Sequence, residues 1–168
     1  QPFMTAAIFG RKELCKYFFD NSKYINYDHI LANIVYLVSI DVPTFSIIIE
    51  NCPYHVKEKM LNLFVQSSIQ SHNRSLLNYL LKEKSPHEKA LISAVLCKDL
   101  EAINIILSYD CSSSFINKMT IDGTALNIAV KFNNLPIVQR LLSLPEINPD
   151  LCDSKGMTPL LNVNIQNI

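Results

Sequence analysis

The stretch DGTALNIAVKFNNLPIVQRLLSLPEINPDLCDSKGMTPL, residues 122–160, contains one pattern twice. Gly-Thr-Ala-Leu near its start returns as Gly-Met-Thr-Pro-Leu at its end, so that Thr124 and Thr158 are 34 residues apart. The same distance separates Leu126 from Leu160. A period of this length is typical of repeat proteins, in which each unit is one supersecondary element that buries its apolar face against the next.

Apolar and small residues extend this pattern along the whole chain. From Leu126 onward they define five slots at offsets 0, +3, +12, +15 and +16, filled by Leu126, Ala129, Val138, Leu141 and Leu142. Three earlier sets fill the slots without a gap: Phe3, Ala6, Cys15, Phe18, Phe19; Val65, Ser68, Leu77, Leu80, Leu81; and Leu91, Ala94, Ile103, Ile106, Leu107. A looser copy with Phe45, Ile48 and Ile49 follows the first set, and a sixth begins at Leu160 and Val163. We number these copies one to six in chain order.

The spacing predicts helix–turn–helix units. Offsets 0 and +3 share one face of a short helix, and offsets +12, +15 and +16 share one face of another. Turn formers such as Gly10-Arg11 and Asn133-Asn134 lie between them, and Gly and Asn tolerate the left-handed conformation that ends a helix. Pro43 and Pro136 follow the turn, at early positions of the second helix where a missing N–H costs little. Residues 85–88, Ser-Pro-His-Glu, are typical of a capping box.

Three short motifs give the C-terminal part a family character. Residues 156–160 read G-M-T-P-L with Asp153 three residues before the glycine, residues 127–129 read N-I-A, and residues 137–142 read I-V-x-x-L-L. These motifs resemble the G-x-T-P-L start, the H-x-A motif and the second helix of the ankyrin repeat family. Over residues 1–117 only the hydrophobic spacing and the turns persist. The threonine of the motif is expected to N-cap the first helix through its hydroxyl.

The chain also departs from that family. Successive steps between the +3 slots are 30, 32, 26, 35 and 34 residues, against the family's usual 33. The chain has three glycines, so projecting hairpins are expected only around Asn117–Gly123 and Asn148–Gly156. HEAT-like helix pairs would also repeat apolar spacing, but they lack the G-x-T-P-L start. We expect an all-α, ankyrin-type solenoid forming one domain over 1–168. Its expected repeats are 1–28, 29–58, 59–85, 86–117, 118–151 and a partial 152–168.

Composition argues against several classes of binding protein. Fifteen Lys and Arg balance fifteen Asp and Glu, and nucleic-acid binders usually have a basic excess. There is no polybasic tract, and the longest mainly apolar run, residues 34–40 with one serine, is too short to cross a bilayer. The five cysteines contain no C-x-x-C pair, which favours free thiols in a reducing compartment. We therefore expect an intracellular, cytoplasmic protein without nucleic-acid or membrane partners. Because the chain begins with Gln1, a fragment of a longer protein is expected.

Catalytic and cofactor motifs are missing from the sequence. It has no G-x-G-x-x-G and no P-loop, and no two of His29, His55, His72 and His87 are four residues apart. Residues 110–114, Asp-Cys-Ser-Ser-Ser, are polar enough to hold a nucleophile but are more simply a solvated loop. We expect no catalysis, no cofactor and no metal.

The resemblance also implies a place for partner binding. In such repeats the two residues before the inter-helix turn face the concave side of the stack, and here they are Ile8-Phe9, Leu96-Cys97 and Lys131-Phe132. Apolar groups there form either a contact stripe or extra core under neighbouring turns. The implied partner-binding residues are Thr120, Ile121, Asp122, Lys131, Phe132, Ser154, Lys155, Phe9 and Leu96.

The expected function is recognition of another protein, with Phe132 as the anchor, by a chain that is monomeric apart from its exposed ends. The alternative from a different class is an architectural spacer between functional domains of a longer chain.

Overall fold

The described part of the chain consists mainly of helices joined by turns and loops. The computed structural model describes residues 2–21, 25–37, 40–83 and 89–165, and within these ranges it contains helices and no named strand. This confirms the all-α prediction. The chain divides into two compact units, residues 1–83 and 84–168. Their boundary lies two residues before the predicted boundary between copies three and four.

In the first unit, copies one and three form the predicted helix pairs and copy two is more elaborate. The elements are α1 (Pro2–Ile8), α2 (Lys12–Asn21), α3 (Tyr27–Ala32), a 3-10 helix (Ile34–Leu37), α4 (Val42–Glu50), α5 (Tyr54–Gln70) and α6 (Arg74–Glu83). The second helices pack in order, α2 against α4 and α4 against α6. Phe45 and Phe64 meet edge to face in the core, with ring centroids 4.6 Å apart.

In the second unit, copies four and five form helix pairs and copy six contributes one helix. The elements are α7 (Ala90–Leu96), α8 (Leu100–Tyr109), α9 (Ser113–Ile116), α10 (Ala125–Lys131), α11 (Leu135–Leu142) and α12 (Pro159–Ile165). Helix α10 packs against α7, α11 and α12. It is therefore the central helix of this unit and the one that positions the site described below.

The same left-handed turn joins the two helices in copies one, three, four and five. Its residue at offset +7 is Gly10, His72, Lys98 or Asn133, with φ of 62°, 56°, 56° and 51°. In each copy the N–H at +8 donates to the carbonyl at +3 over 2.8 to 3.1 Å, and the N–H at +7 donates to the carbonyl at +4 over 2.8 to 3.2 Å. These two bonds define the Schellman motif. The predicted turn position is thus confirmed, although His and Lys adopt a conformation that costs L-residues about 1–2 kcal/mol.

The residue after the left-handed position caps the second helix in three copies. The side-chain oxygens of Asn73, Asp99 and Asn134 accept from the N–H groups at +11, at 3.1, 2.9 and 3.3 Å. This satisfies one of the N–H groups that a helix start leaves without a partner. Pro43 and Pro136 lie in the first turns of α4 and α11, as predicted.

The five slots supply a large share of the core, and their burial is most complete in the middle of the chain. In copies three and four all five residues are buried, Val65 to Leu81 and Leu91 to Leu107. In copy five Leu141 is fully buried but Leu142 is 49% exposed. Because the sequence contains only the first helix of copy six, we expect the side chains of Ile137, Leu141 and Leu142 to be partly exposed. This is confirmed for Leu142 and wrong for the other two, which lie on the side of α11 that faces its own unit.

Two segments differ from the sequence-based expectation. Helix α5 crosses the predicted repeat boundary at 58/59, because Pro53 starts it and no Gly or Pro interrupts the next 17 residues. The stretch 110–114, expected as a loop, ends in α9, whose Phe115 and Ile116 are buried. The predicted capping box at residues 85–88 lies outside the described residues.

Candidate functional site

Residues 120–123 form a short projecting turn, which we call finger one. The Thr120 and Gly123 N–H groups each donate to the other's carbonyl at 3.1 Å, and the Thr120 hydroxyl donates to the Gly123 carbonyl at 2.7 Å. Gly123 has a φ of 102°, and a Cβ added there would lie 2.8 Å from the Cβ of Asn127. Glycine is therefore required, and the turn leaves Ile121 and Asp122 exposed at the tip.

Residues 153–157 form the equivalent turn, finger two. The Asp153 N–H donates to the Met157 carbonyl at 2.9 Å. The buried Asp153 carboxylate accepts at Oδ1 from the Lys155 N–H at 2.9 Å and the Met157 N–H at 3.0 Å. Ser154 and Lys155 are exposed at the tip. Projecting turns therefore occur at both places where the sequence predicts them.

Lys131, the last residue of α10, links both fingers. Its Nζ lies 2.8 Å from Asp153 Oδ2 and donates to the Asp122 carbonyl at 2.9 Å. The Asp153 side chain is 1% exposed and that of Lys131 33%. Hydrogen bonding from Lys131, together with backbone N–H bonds from Met157 and Lys155, holds the pKa of Asp153 well below its usual range. Lys131 thus ties finger two to α10 by an ion pair and finger one by a hydrogen bond.

Buried Asn127 ties the start of α10 to finger two as well. Its Nδ2 donates to the carbonyls of Leu151 and Met157, both at 3.2 Å. Thr124 N-caps α10, since its Oγ1 accepts from the Asn127 N–H at 3.3 Å and its own N–H donates to Asn127 Oδ1 at 3.1 Å. Thr158 caps α12 in the same way, accepting from the Leu161 N–H. The predicted role of the motif threonines is therefore confirmed.

Phe132 is the large exposed ring of this region. It directly follows α10, is 48% exposed, and has the Lys98 ammonium 5.7 Å from its ring centroid. This distance is within the range of a cation–π contact, worth roughly 0.5–1 kcal/mol at an exposed site. Lys98 belongs to the turn after α7, and Leu96, the last residue of α7, is half exposed. Because α7 packs against α10, the two turns present neighbouring apolar groups.

These groups form one surface, which we call the fingertip surface. Lys131 joins both fingers to α10, Phe132 is its covalent neighbour, and Lys98 lies over the Phe132 ring. The surface consists of Leu96, Lys98, Thr120, Ile121, Asp122, Lys131, Phe132, Ser154 and Lys155. Its apolar groups are Phe132, Leu96 and the fingertip residue Ile121, which is 81% exposed. Hydrogen bonds hold both finger backbones in place, so binding would require little ordering.

The structure brings most of the sequence-predicted site residues together, but not all. Phe9 belongs to the first unit, where it lines a groove with Leu14 and Phe18. The Lys131 ammonium is already paired with the Asp153 carboxylate of the same chain. The sequence did not predict Lys98 as part of this surface. Its position at +7, in the turn that directly follows α7, was the signal that could have indicated it.

Two observations bear on metal binding and on thiol reactivity in the described residues. No group of three or more His, Cys, Asp or Glu that could hold a metal ion occurs among those residues. Partial burial, and then the charge of Asp99, raises the pKa of the Cys97 thiol, so the thiol is a poorer nucleophile at neutral pH.

Comparisons with protein-family models and with curated proteins identify no relative of this chain. No protein-family model matches it, and no curated protein matches it significantly. Among the described residues, no helix combines the length and the apolar character needed to cross a membrane.

Proposed function

We propose that this chain is an ankyrin-type repeat protein whose fingertip surface binds a partner protein. One observation carries the proposal: the Lys131 bridge fixes both fingers beside the exposed Phe132 ring. A fixed surface with an aromatic centre and a mixed polar rim has the composition of a protein–protein interface. Arrays of such units present contact surfaces made by several neighbouring repeats.

The repeating turn supports the ankyrin-type reading. Copies one, three, four and five share the left-handed residue at +7 and both Schellman hydrogen bonds. Copies five and six share the threonine N-cap preceded by a finger. Recurrence of the turn, cap and finger at the sequence period supports a common unit, and stacking of these units into a solenoid is part of the proposal.

The chemistry of the surface favours a protein as the ligand. Exposed apolar groups such as Phe132, Ile121 and Leu96 are well suited to an apolar partner surface. Aromatic residues near the centre of an interface contribute most of the binding energy, and charged rims contribute less. The chain has no net charge, so association should depend only weakly on salt.

A cytoplasmic location belongs to the same proposal. All five cysteines lie in described residues and are free thiols, with Cys97, Cys111 and Cys152 exposed. Exposed free thiols suit a reducing compartment.

Site-specific photo-crosslinking tests the proposal. Benzoylphenylalanine would replace Phe132 or Ile121 in the fingertip surface and, as a control, Gln139 on the exposed side of α11. The expected result is one shared protein adduct at positions 132 and 121 and none at 139.

The captured partner then allows a quantitative measurement. Phe132→Ala should weaken binding by roughly 30-fold or more, the loss typical of a central anchor. Gln139→Ala should bind like the wild type, and both variants should keep wild-type helicity. If the chain is an architectural spacer instead, the fingertip positions will give no shared adduct. Unchanged affinity of Phe132→Ala would also overturn the proposal.

A further inference from the structure

Lys98 and Phe132 belong to consecutive copies of the second unit. Phe132 fills the slot at offset +6 of copy five, and Cys97 fills the same slot in copy four. Cys97 is exposed as well, although the complete copy five follows it. Within this unit, a following copy therefore leaves the +6 slot open. Lys98 is the next residue, the left-handed one of the copy-four turn.

Lys98 carries a charge that no other described residue of the fingertip surface balances. Its ammonium lies 5.7 Å from the Phe132 ring centroid, and no carboxylate among the described residues pairs with it. The ammonium of Lys131 is already paired within the chain. At the two fingertips, the exposed side chains of Asp122 and Lys155 carry opposite charges. The charge left over therefore lies against the aromatic ring and not at the rim.

Any partner that covers the Phe132 ring also removes water from the Lys98 ammonium beside it. A buried charge is costly unless an opposite charge or a hydrogen bond satisfies it. The ring face accepts no ordinary hydrogen bond, so the cation–π contact offsets only part of that cost. A carboxylate placed here by the partner would remove the penalty and form a charge-assisted hydrogen bond.

We propose that the partner presents an Asp or Glu carboxylate to Lys98, next to an apolar side chain that packs on Phe132. This inference rests on the proposed function, because it names the chemistry of the segment that the fingertip surface binds. The half-exposed Leu96 adds apolar area on the same turn as Lys98. The ion pair would be short and largely removed from water, where salt screens it little. It is therefore consistent with an association that depends only weakly on salt.

Phage display of a random peptide library against the wild-type chain provides probes of known sequence. Peptides that bind the wild type but not Phe132→Ala use the anchor of the fingertip surface, and their affinities are then measured with synthetic peptide. They should share an Asp or Glu within a few residues of Leu, Ile or Phe. Lys98→Glu should weaken their binding roughly 30-fold or more, the loss typical of breaking a buried charge pair. Replacing the peptide's acidic residue by Lys should restore part of the affinity for Lys98→Glu.

Two further variants make the measurement specific. Lys89→Glu makes the same charge change at an exposed lysine that precedes α7, whereas Lys98 follows that helix. It should bind the peptides like the wild type. Lys98→Asn removes the ammonium but keeps a residue type that tolerates the left-handed turn, as Asn133 does in copy five. It should also weaken binding, and circular dichroism should show wild-type helicity for every variant.

The possible outcomes separate this inference from the proposed function. Peptides that depend on Phe132 but lack a shared acidic residue, or that bind Lys98→Asn and Lys98→Glu as tightly as the wild type, overturn the carboxylate pair and leave the fingertip surface standing. An equal loss in Lys89→Glu indicates general attraction of acidic peptides and also overturns the pair. A library that yields no peptide dependent on Phe132 overturns the proposed function, and the pair with it.

Discussion

Residues 2–83 and residues 89–165 use the same apolar slots and the same left-handed turn, but they connect their helix pairs differently. In the second region, fingers closed by backbone hydrogen bonds lead into α10 and α12. In the first region, α3, the 3-10 helix and the long α5 take up the connecting sequence. A helix pair therefore requires only the slots and one left-handed residue. A finger also requires glycine where a Cβ would clash and a side chain that binds the backbone, as Gly123 and Asp153 show.

The largest effects should be equal in the two regions. Leu80 and Leu141 fill the +15 slot and are 2% and 0% exposed. Truncation of either to Ala should lower the free energy of unfolding by about 2–5 kcal/mol, since it removes buried methyl groups and leaves a cavity. The free energy of unfolding of the exposed-site variant Gln139→Ala should stay within about 0.5 kcal/mol of the wild-type value. Urea unfolding measures all three, and a loss below about 1 kcal/mol for only one of the leucines would show that the slots are not equivalent.

Glycine substitutions should separate the two regions. In Gly123→Ala, the alanine must adopt a φ of 102°, and its Cβ would lie 2.8 Å from the Cβ of Asn127. We expect this strain to lower the free energy of unfolding by about 2–3 kcal/mol. Gly10→Ala keeps φ of 62°, and its nearest new neighbour is Asp41 Oδ1 at 3.4 Å. We expect Gly10→Ala to lower the free energy of unfolding by only about 1 kcal/mol, the usual cost of placing alanine in the left-handed conformation. Thermal unfolding ranks the two variants, and the reverse order would contradict the description of finger one.

Helix caps should again behave alike. Asn73→Ala in the first region and Asn134→Ala in the second each remove a side-chain acceptor for the N–H at +11. Each should lower stability by about 1 kcal/mol. Serine at either position restores an acceptor and should recover most of the loss. Equal stability of the serine and alanine variants would exclude capping as the role of these residues.

The smallest effect should be local to the fingers and dependent on pH. The folded-state pKa of Asp153 is lowered, while the pKa of an Asp in an unfolded chain is about 3.9. Its ionisation therefore stabilises the fold above that pH, and the contribution is lost as pH falls towards the lower folded value. Asp153→Asn removes this contribution, so the stability gap to the wild type should narrow from pH 7 to pH 3.

Amide exchange at Lys155 and Met157 reports the same change locally. Both N–H groups donate to Asp153 Oδ1, so Asp153→Asn should accelerate their exchange at neutral pH. The Leu76 amide in the first region should not change. A stability gap that widens in acid would contradict the ion pair.

The sequence predicted what depends on local spacing and missed what depends on distant partners. Slots such as Leu126 and Ala129, the turn positions and both fingers follow from periodicity and from residue types with strong conformational preferences. The Lys131–Asp153 ion pair joins residues 22 apart, and Arg140 binds Asn104 across 36 residues. Such pairs depend on how helices pack, which periodicity does not specify. The spacing also predicted turns at His72-Asn73 and Lys98-Asp99. It did not predict the left-handed conformation of His72 and Lys98, because neither residue type favours it.

Amide exchange at the +8 slot, followed by NMR, tests the central claim that one turn recurs through the chain. The N–H groups of Arg11, Asn73, Asp99 and Asn134 each donate to a carbonyl five residues earlier, at 2.8, 2.9, 3.0 and 3.1 Å. All four should exchange roughly 100-fold or more slowly than in an unfolded chain, because opening each requires loss of the helix pair. Exchange at the unfolded rate for two or more of them, while the flanking helices stay protected, would contradict the recurring turn and the repeat derived from it.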